Sequence, residues 1–167
     1  DEEHTTVIDL LHQQLQLTDH NAEVNADDPN TLKSIFENDP SLLITDLHIV
    51  GRLDLNTSGL MLLTNDSRWS SQITAPENKV TKYYYVTLEK PLSEAYIEAF
   101  TRGMYFEYEG ITTQPAHLTI LSAYTARLGL VEGKYHQVKR MFGFFQNEVL
   151  ALRRTAVGPI SLDGLEI

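Results

Sequence analysis

A polar loop between two apolar runs is the first place where chemistry could occur. It reads GRLDLNTSGL, spans residues 51–60, and contains Asp54 with Arg52 two positions before it. An aspartate in a loop often only accepts hydrogen bonds from neighbouring backbone amides. A loop bracketed by glycines between core strands, however, holds a carboxylate rigidly, and a nearby arginine keeps it ionised or binds a phosphate. Asp54 is therefore a candidate catalytic carboxylate, with the turn role as the alternative.

Three consecutive tyrosines form the second candidate. Tyr83, Tyr84 and Tyr85 follow Lys82 in a segment rich in aromatic and β-branched residues. Alternate residues of a strand face opposite sides, so Tyr84 points away from its two neighbours. One of these faces can serve as a stacking platform for a nucleic-acid base. The alternative is that the tyrosines only pack a half-buried sheet.

Basic residues are concentrated near the end of the chain. Between residues 127 and 154 there are six bases and two acids, a local charge of +4. Within this stretch, KYHQVKRMFGFF has one apolar helical face, and its other face is basic and aromatic. Bases interleaved with aromatic and amide side chains are typical of a surface that follows phosphates, although a solvated helix face is an equal alternative. The six bases are Arg127, Lys134, Lys139, Arg140, Arg153 and Arg154.

Other kinds of site lack their sequence patterns. The six histidines have no metal-binding spacing, and the chain has no cysteine. The chain contains no phosphate-binding glycine loop and no nucleophile elbow. The sequence therefore predicts neither a metal nor a nucleotide cofactor.

Net charge first favours a different class of protein. The 167 residues carry a formal charge of −10 and a pI of about 4.9, whereas a nucleic-acid-binding domain usually has a pI above about 9. Eleven acids and one base lie in residues 1–51, however, so the remaining residues hold twelve of each and are neutral. The acidic total therefore does not exclude an RNA partner. No apolar run approaches the length of a membrane span, and we expect a cytoplasmic protein.

Strands and helices must position these candidates. Apolar runs on both sides of the loop, the tyrosine segment, residues 114–122 and 124–133, and EVLALRRTAVGPISL all predict strands. SEAYIEAFTR, KYHQVKRMFGFF and residues 5–17 have helical spacing. The polar, acidic residues 18–40 read as an insertion. The expected fold is one α+β domain over residues 1–167, with a mostly antiparallel mixed sheet flanked by helices.

Four blocks, taken in this order, resemble a known family. They are VGRLDLNTSGLMLLTND, TKYYYVTL, EGKYHQVKRMF and LRRTAVGPISL, and they span about residues 47–162. They look like the signature blocks of the bacterial rRNA pseudouridine synthases of the RsuA/RluB/RluE/RluF group. RWSSQITAP and YHQVKRMF are most similar to the RsuA branch, which modifies a uridine of 16S rRNA. The resemblance implies the pseudouridine-synthase catalytic fold.

The resemblance also implies roles for individual residues. Asp54 matches the family's catalytic aspartate, and Tyr84 matches the tyrosine that stacks on the target uracil and is a candidate for proton transfer. Lys139 matches the basic residue that pairs with the aspartate, and Arg52 matches the arginine that helps to hold the RNA with its nucleotide extruded. Further RNA contacts are expected from Lys82, Lys134, Tyr135, His136, Gln137, Arg140, Arg153 and Arg154.

The implied reaction needs no cofactor. Isomerisation of uridine breaks the N-glycosidic bond, turns the base and rejoins the sugar at carbon 5, without redox change. A carboxylate can attack the sugar, attack the base or remove a sugar proton, and the sequence leaves these three routes open. The expected partner is 16S rRNA, free or in an assembling small subunit, with the protein acting as a monomer and not at a membrane.

Two features of the family are not found in this sequence. Members typically carry an S4-like RNA-binding module and then an NKPxG strand ahead of the catalytic loop. Residues 17–41 are also longer and more acidic than expected. Three alternatives therefore stay open: a 23S rRNA synthase of the same group, a module that binds RNA or assists ribosome assembly but has lost activity, and an acidic protein-interaction domain argued from net charge alone.

Overall fold

The computed structural model describes residues 5–11, 13 and 46–164. The chain divides into two compact units, one formed by residues 1–50 and 62–70 and the other by residues 51–61 and 71–167. The expectation of a single catalytic domain over residues 1–167 stays a prediction, and the expected insertion at 18–40 lies outside the described residues. Within the described part of the chain, no helix is both long and apolar enough to cross a membrane.

From residue 48 onwards the described part of the chain contains ten strands and three α-helices. In order they are β1 (His48–Ile49), β2 (Thr57–Gly59), β3 (Leu63–Thr64), α1 (Ser67–Thr74), β4 (Lys82–Leu88), α2 (Glu94–Arg102), β5 (Tyr105–Phe106), β6 (Ile111–Thr112), β7 (His117–Ile120), β8 (Thr125–Leu130), α3 (Gln137–Gly143), β9 (Val149–Val157) and β10 (Ile160–Ser161).

The first unit contains a small hairpin and a capped helical turn. Strand β1 pairs antiparallel with β3. Residues 7–11 are helical, and Thr6 and Asp9 cap them reciprocally: each side chain accepts a hydrogen bond from the other residue's backbone amide, at 2.8 and 3.1 Å. This confirms the start of the expected amino-terminal helix, while residues 14–17 lie outside the described part.

The second unit is built on a six-stranded sheet. Its strands lie in the order β10-β9-β4-β8-β7, and β2 pairs with β9. The β2–β9 pairing is parallel, and every other pairing in this sheet is antiparallel. The predicted mostly antiparallel mixed sheet is therefore confirmed, and β4, with the three tyrosines, is a central strand.

One face of this sheet carries the core. Side chains alternate along β4, so Val86 and Leu88 are fully buried. They belong to a cluster that includes Phe100 of α2 and Phe142 of α3, whose rings are 4.8 Å apart. Burying one such side chain contributes about 1.5–3 kcal/mol to folding. The apolar face predicted for α3 is confirmed, since Val138 is buried beside Phe142.

Several boundaries differ from the predicted ones. The apolar runs around the catalytic loop yield only the two-residue strands β1 and β3. Helix α1 was not predicted, although the sequence contains a cap for it: the carboxylate of Asp66 accepts hydrogen bonds from the amides of Arg68 and Trp69 at 2.8 and 3.1 Å. Helix α3 begins at Gln137, so the two residues before it lie in a turn and not on the helix face.

Candidate active site

The loop at residues 52–56 presents Asp54 from a tight turn. The Asp54 carbonyl accepts a hydrogen bond from the Thr57 amide at 2.8 Å, which closes the turn through Leu55 and Asn56. The Asp54 side chain is 42% exposed. The backbone therefore makes the turn contact, and the carboxylate is left available at the surface of the site.

A very close approach of two strands fixes the end of this loop. Gly59 of β2 lies opposite Arg154 of β9 and has φ +102°. A Cβ atom at Gly59 would lie 2.1 Å from the Arg154 carbonyl oxygen, so no side chain fits there. The amide of the next residue, Leu60, donates to the same oxygen at 2.8 Å. The loop is consequently held directly against β9.

The Arg154 side chain joins the two ends of the loop. Its Nε donates to the Leu60 carbonyl at 2.8 Å, and its Nη1 donates to the Arg52 carbonyl at 3.1 Å. The residue is only 2% exposed. Arg154 was predicted to contact RNA at a surface, and the structure places it instead in the interior, where it braces the catalytic loop.

One cavity of about 530 Å³ brings most of the predicted site residues together. Its volume lies in the usual range for sites that bind small molecules. The predicted residues among its lining are Arg52, Asp54, Lys82, Tyr84, Lys134, Tyr135, Gln137 and Arg154. The remaining four, His136, Lys139, Arg140 and Arg153, do not line it.

Tyr84 and Lys82 form part of the shielded side of this cavity. Burial raises the pKa of the Tyr84 phenol above its ordinary value; the Arg154 guanidinium opposes this shift, and the Asp54 carboxylate adds to it. Burial and then the positive charge of Arg154 lower the pKa of Lys82. Tyr84 therefore stays protonated at neutral pH. The charges of Asp54 and Arg154 both act on its hydroxyl group.

A stacked pair of rings stands beside the aspartate. Tyr135 and His136 stack with their centroids 3.9 Å apart, and Tyr135 is 72% exposed. His136 has a left-handed backbone (φ 47°), and its Nε2 lies 4.0 Å from Asp54 Oδ1. The sequence predicted RNA contacts for both rings, and the structure adds the proximity of His136 to the carboxylate.

Lys139 makes no ion pair within 4.0 Å with Asp54 in the described part of this structure. Lys139 lines a second cavity together with Asn56, Glu89 and Glu148. The reason is the register of α3: Gln137 faces the first cavity, and a residue two positions later lies about 200° further around a helix. The expected pairing with the aspartate is therefore absent from this arrangement.

Two more predicted RNA ligands are engaged within the protein. Arg140 makes a bidentate pair with Glu109, with both N–O distances 2.6 Å, and its guanidinium lies over the Phe106 ring at 3.8 Å. The Gln137 side chain is buried; it donates to Glu132 at 2.6 Å and accepts from the Lys134 amide at 2.9 Å. Neither side chain is free to meet a phosphate without first giving up these contacts.

The opposite face of the sheet carries the other arginine of the RR pair. Arg153 is exposed and lies opposite Tyr85 in the β4–β9 register. Arg127 lies over the Tyr83 ring at 5.1 Å on the same face. The predicted alternation of the tyrosines is confirmed, and it sends Arg153 away from the cavity.

The sequence did not predict that Arg154 braces the catalytic loop. Alternation along β9 indicates that the two adjacent arginines face opposite sides, but only the pairing with β2 determines which of them meets the loop. Among the described residues, no group of three or more metal-ligating side chains could hold a metal ion.

Comparison with known proteins identifies the family of this chain. A sequence profile described as RNA pseudouridylate synthase matches residues 16–143. The chain belongs to this family. The α+β fold is that of a solved pseudouridylate synthase, whose crystal structure superposes with a TM-score of 0.70 at 42% identity, covering 77% of this chain and 56% of that one.

Individual relatives place the chain within this family. Ribosomal small subunit pseudouridine synthase A of Pseudomonas aeruginosa is 52% identical over 124 residues, 74% of this chain and 54% of the relative. The protein of the same name from Escherichia coli K12 is 44% identical over 117 residues, 70% and 51% of the two chains. The resemblance to the RsuA branch is thus confirmed. The chain spans about half the length of the curated relatives that it matches.

Proposed function

We propose that this chain is the catalytic domain of a pseudouridine synthase that isomerises one uridine of small-subunit (16S) rRNA. The observation that carries the proposal is the placement of Asp54, a partly exposed carboxylate on a braced loop, in one cavity with Tyr84. The names of the curated relatives support the small subunit as the substrate. We propose that the protein acts as a monomer in the bacterial cytoplasm, where ribosomal subunits assemble.

The cavity suits a nucleotide that has been turned out of the RNA. Extruding a base costs a few kcal/mol of lost stacking and pairing. Tyr84 offers a ring inside the cavity, and a base–aromatic stack returns about 1–3 kcal/mol. The Tyr135–His136 stack provides a second aromatic surface at the mouth, where Tyr135 is exposed. These contacts offset the free-energy cost of extrusion in the cavity that Asp54 lines.

Asp54 supplies the reactive group. As a carboxylate it can bond the sugar, bond the base or take a proton from the sugar, and the geometry is compatible with each route. Tyr84, whose pKa is raised by burial, remains a phenol and can donate a hydrogen bond or a proton within the site. Arg52 and Lys134 also line the cavity, which supports assigning them to the phosphates that flank the target. Lys139 stays a predicted catalytic residue, and its expected pairing with Asp54 is tested separately.

The test is the Asp54→Asn variant, assayed on small-subunit rRNA transcribed without modification. Asparagine keeps the size and the turn of Asp54 but cannot act as a nucleophile or base, so pseudouridine formation should be abolished while RNA binding and Tm stay near those of the unaltered chain. Asn56→Asp is the matched control, because it alters an amide in the same turn and leaves Asp54 in place. Turnover by Asp54→Asn would overturn the assignment.

Mapping of pseudouridines in cells separates the remaining candidates. If the gene is deleted, one site should disappear from 16S rRNA and return when the gene is restored. Loss of a site in 23S rRNA would favour the large-subunit alternative. Loss of none would favour a module that binds RNA without modifying it.

A further inference from the structure

The shielded side of the cavity holds a cation whose hydrogen bonds are incomplete. Arg154 uses Nε and Nη1 to brace the loop, and its guanidinium also faces the Tyr84 hydroxyl, where its charge and a hydrogen-bonding interaction oppose the rise that burial causes in the pKa of that phenol. Its Nη2 makes no close hydrogen bond within the described part of the chain, although the residue is 2% exposed. Leaving a buried donor unpaired costs about 1–3 kcal/mol, and more when the donor is charged. Thr57 Oγ1, in the same cavity, is also buried and unpartnered. Two such atoms around one cavity indicate a polar ligand.

A second cation lies beside Arg154. Lys82 lines the same cavity, and the charge of Arg154, after burial, lowers its pKa. No carboxylate oxygen lies within 4.0 Å of either cation among the described residues. One buried and one half-buried cation without a close counterion form a site that favours an acceptor carrying negative charge.

We propose that Arg154, with Lys82 beside it, binds a carbonyl oxygen of the target uracil and stabilises the negative charge that the base acquires during the reaction. This inference rests on the proposed function. It makes Arg154 a catalytic residue in its own right, through Nη2, as well as the brace of the loop.

The chemistry places charge on a uracil oxygen by every open route. When the bond between C1′ and N1 breaks, its electron pair stays on the base and spreads over N1, O2 and O4, while Asp54 either bonds C1′ or has taken a proton from C2′. If Asp54 instead adds to C6, the electrons of the C5–C6 double bond move to O4. In the second half, C5 bonds C1′ and Asp54 is released: the carboxylate leaves C1′ or C6 with its bonding electron pair, or returns its proton to C2′. C5 then loses its proton and N1 gains one. The charge is therefore transient and all atoms are conserved.

The depth of the site favours the base over a phosphate. Arg154 is buried and Tyr84 is half-buried, whereas Asp54 and Tyr135 are exposed. Phosphates remain attached to the rest of the RNA and stay near the exposed residues, while the extruded base reaches furthest into the cavity. A donor fixed at the position of Arg154 is therefore better placed for the base.

The experiment compares two RNAs under single-turnover conditions, one carrying uridine at the target and one carrying 5-fluorouridine. Fluorine withdraws electrons and stabilises the detached base by itself, so the help of Arg154 matters less. Arg154→Gln should slow consumption of uridine by about 10²-fold, the usual effect of removing one oxyanion donor, and consumption of 5-fluorouridine by only about 10-fold. Arg154→Lys should recover part of the loss. Arg102→Gln, at the exposed end of α2, is the charge-matched control and should change neither rate.

Each outcome decides between this role and a purely structural one. Equal losses on the two RNAs would show that Arg154 only holds the loop and would overturn the inference. Weaker RNA binding with an unchanged rate at saturation would assign the site to a phosphate and would overturn it as well. If Arg154→Gln does not fold by circular dichroism, Lys82→Gln is compared on the same two RNAs, and equal losses there refute the inference. If the unaltered chain forms no pseudouridine, the proposed function itself fails.

Discussion

Basic residues of the second unit lie in two different environments. At the cavity, Arg154 is buried and Lys82 is half-buried, and the Nη2 of Arg154 makes no close hydrogen bond among the described residues. At the surface, Arg140 is held by Glu109, and Arg153 is exposed beyond the opposite face of the sheet. The local charge of +4 in residues 127–154 includes Arg140, Arg153 and Arg154 without distinguishing their environments, and Lys82 lies outside that stretch. The difference teaches that a charge count identifies a basic region, whereas burial and unsatisfied hydrogen bonds identify the cation that can act on a substrate.

Among the variants that test this comparison, the largest effect is expected from removing the contact on which the cavity depends. Gly59→Ala would place a methyl group 2.1 Å from the Arg154 carbonyl oxygen at φ +102°, and it should separate the loop from β9. Backbone strain alone costs about 1–3 kcal/mol. We expect a lower Tm and a rate of pseudouridine formation below that of Arg154→Gln.

The control for this variant is Gly143→Ala at the end of α3, where an added Cβ meets no atom within 4 Å. It should change the free energy of unfolding by at most about 1 kcal/mol. Normal turnover by Gly59→Ala would show that the close approach to β9 is not needed.

An intermediate effect on turnover is expected at Lys139, which lies outside the first cavity. Because Lys139 lines the second cavity and makes no ion pair with Asp54 among the described residues, Lys139→Gln should slow turnover less than about 5-fold, which is a loss of under about 1 kcal/mol in transition-state stabilisation. Single-turnover rates of this variant and of Arg154→Gln, measured on the same RNA, check the ranking. A loss as large as that of Asp54→Asn would instead show that Lys139 reaches the aspartate once RNA is bound.

The smallest effect is expected at the surface pair. Hydrogen bonds from Arg140 lower the pKa of the Glu109 carboxyl below its ordinary value of 4.5. A lowered pKa in the folded protein means that the pair stabilises the fold above that ordinary value and loses its contribution as the pH falls through the lowered one. Glu109→Gln should therefore reduce Tm slightly at pH 7 and not at all in strong acid.

Thermal unfolding followed from pH 7 down to pH 3 measures this difference. Glu107→Gln, an exposed carboxylate of the same turn, is the control and should leave Tm unchanged at each pH. A Tm difference for Glu109→Gln that persists in acid would mean that the Glu109 charge is not its cause.

Local patterns accounted for much of the site. Glycines around an aspartate made Asp54 a candidate and alternation separated Tyr84 from its two neighbours, whereas the family resemblance assigned both residues their roles; both line one cavity. Helical spacing predicted which face of α3 is buried. These features depend on neighbours a few positions apart, which is the range over which sequence patterns are informative.

The remaining features depend on distant partners. Arg140 meets Glu109 across 31 positions, and the direction of Lys139 follows from a helix that begins at Gln137 and not earlier. The burial of Arg154 depends on its contact with Leu60, 94 positions away, and on the pairing of β9 with β2. No local pattern encodes such contacts, so the bases could be recognised as a group but not sorted into surface and interior.

The parallel pairing of β2 with β9 also determines at which stage of synthesis and folding the site can form. A nascent chain carries the aspartate loop long before β9 has been synthesised, and contacts this distant in sequence form slowly because a long loop must close first. Until that closure the loop lacks Arg154 as its brace and the cavity lacks one wall. Catalytic competence should thus arise late in folding, so that incomplete chains released near an rRNA would be inert.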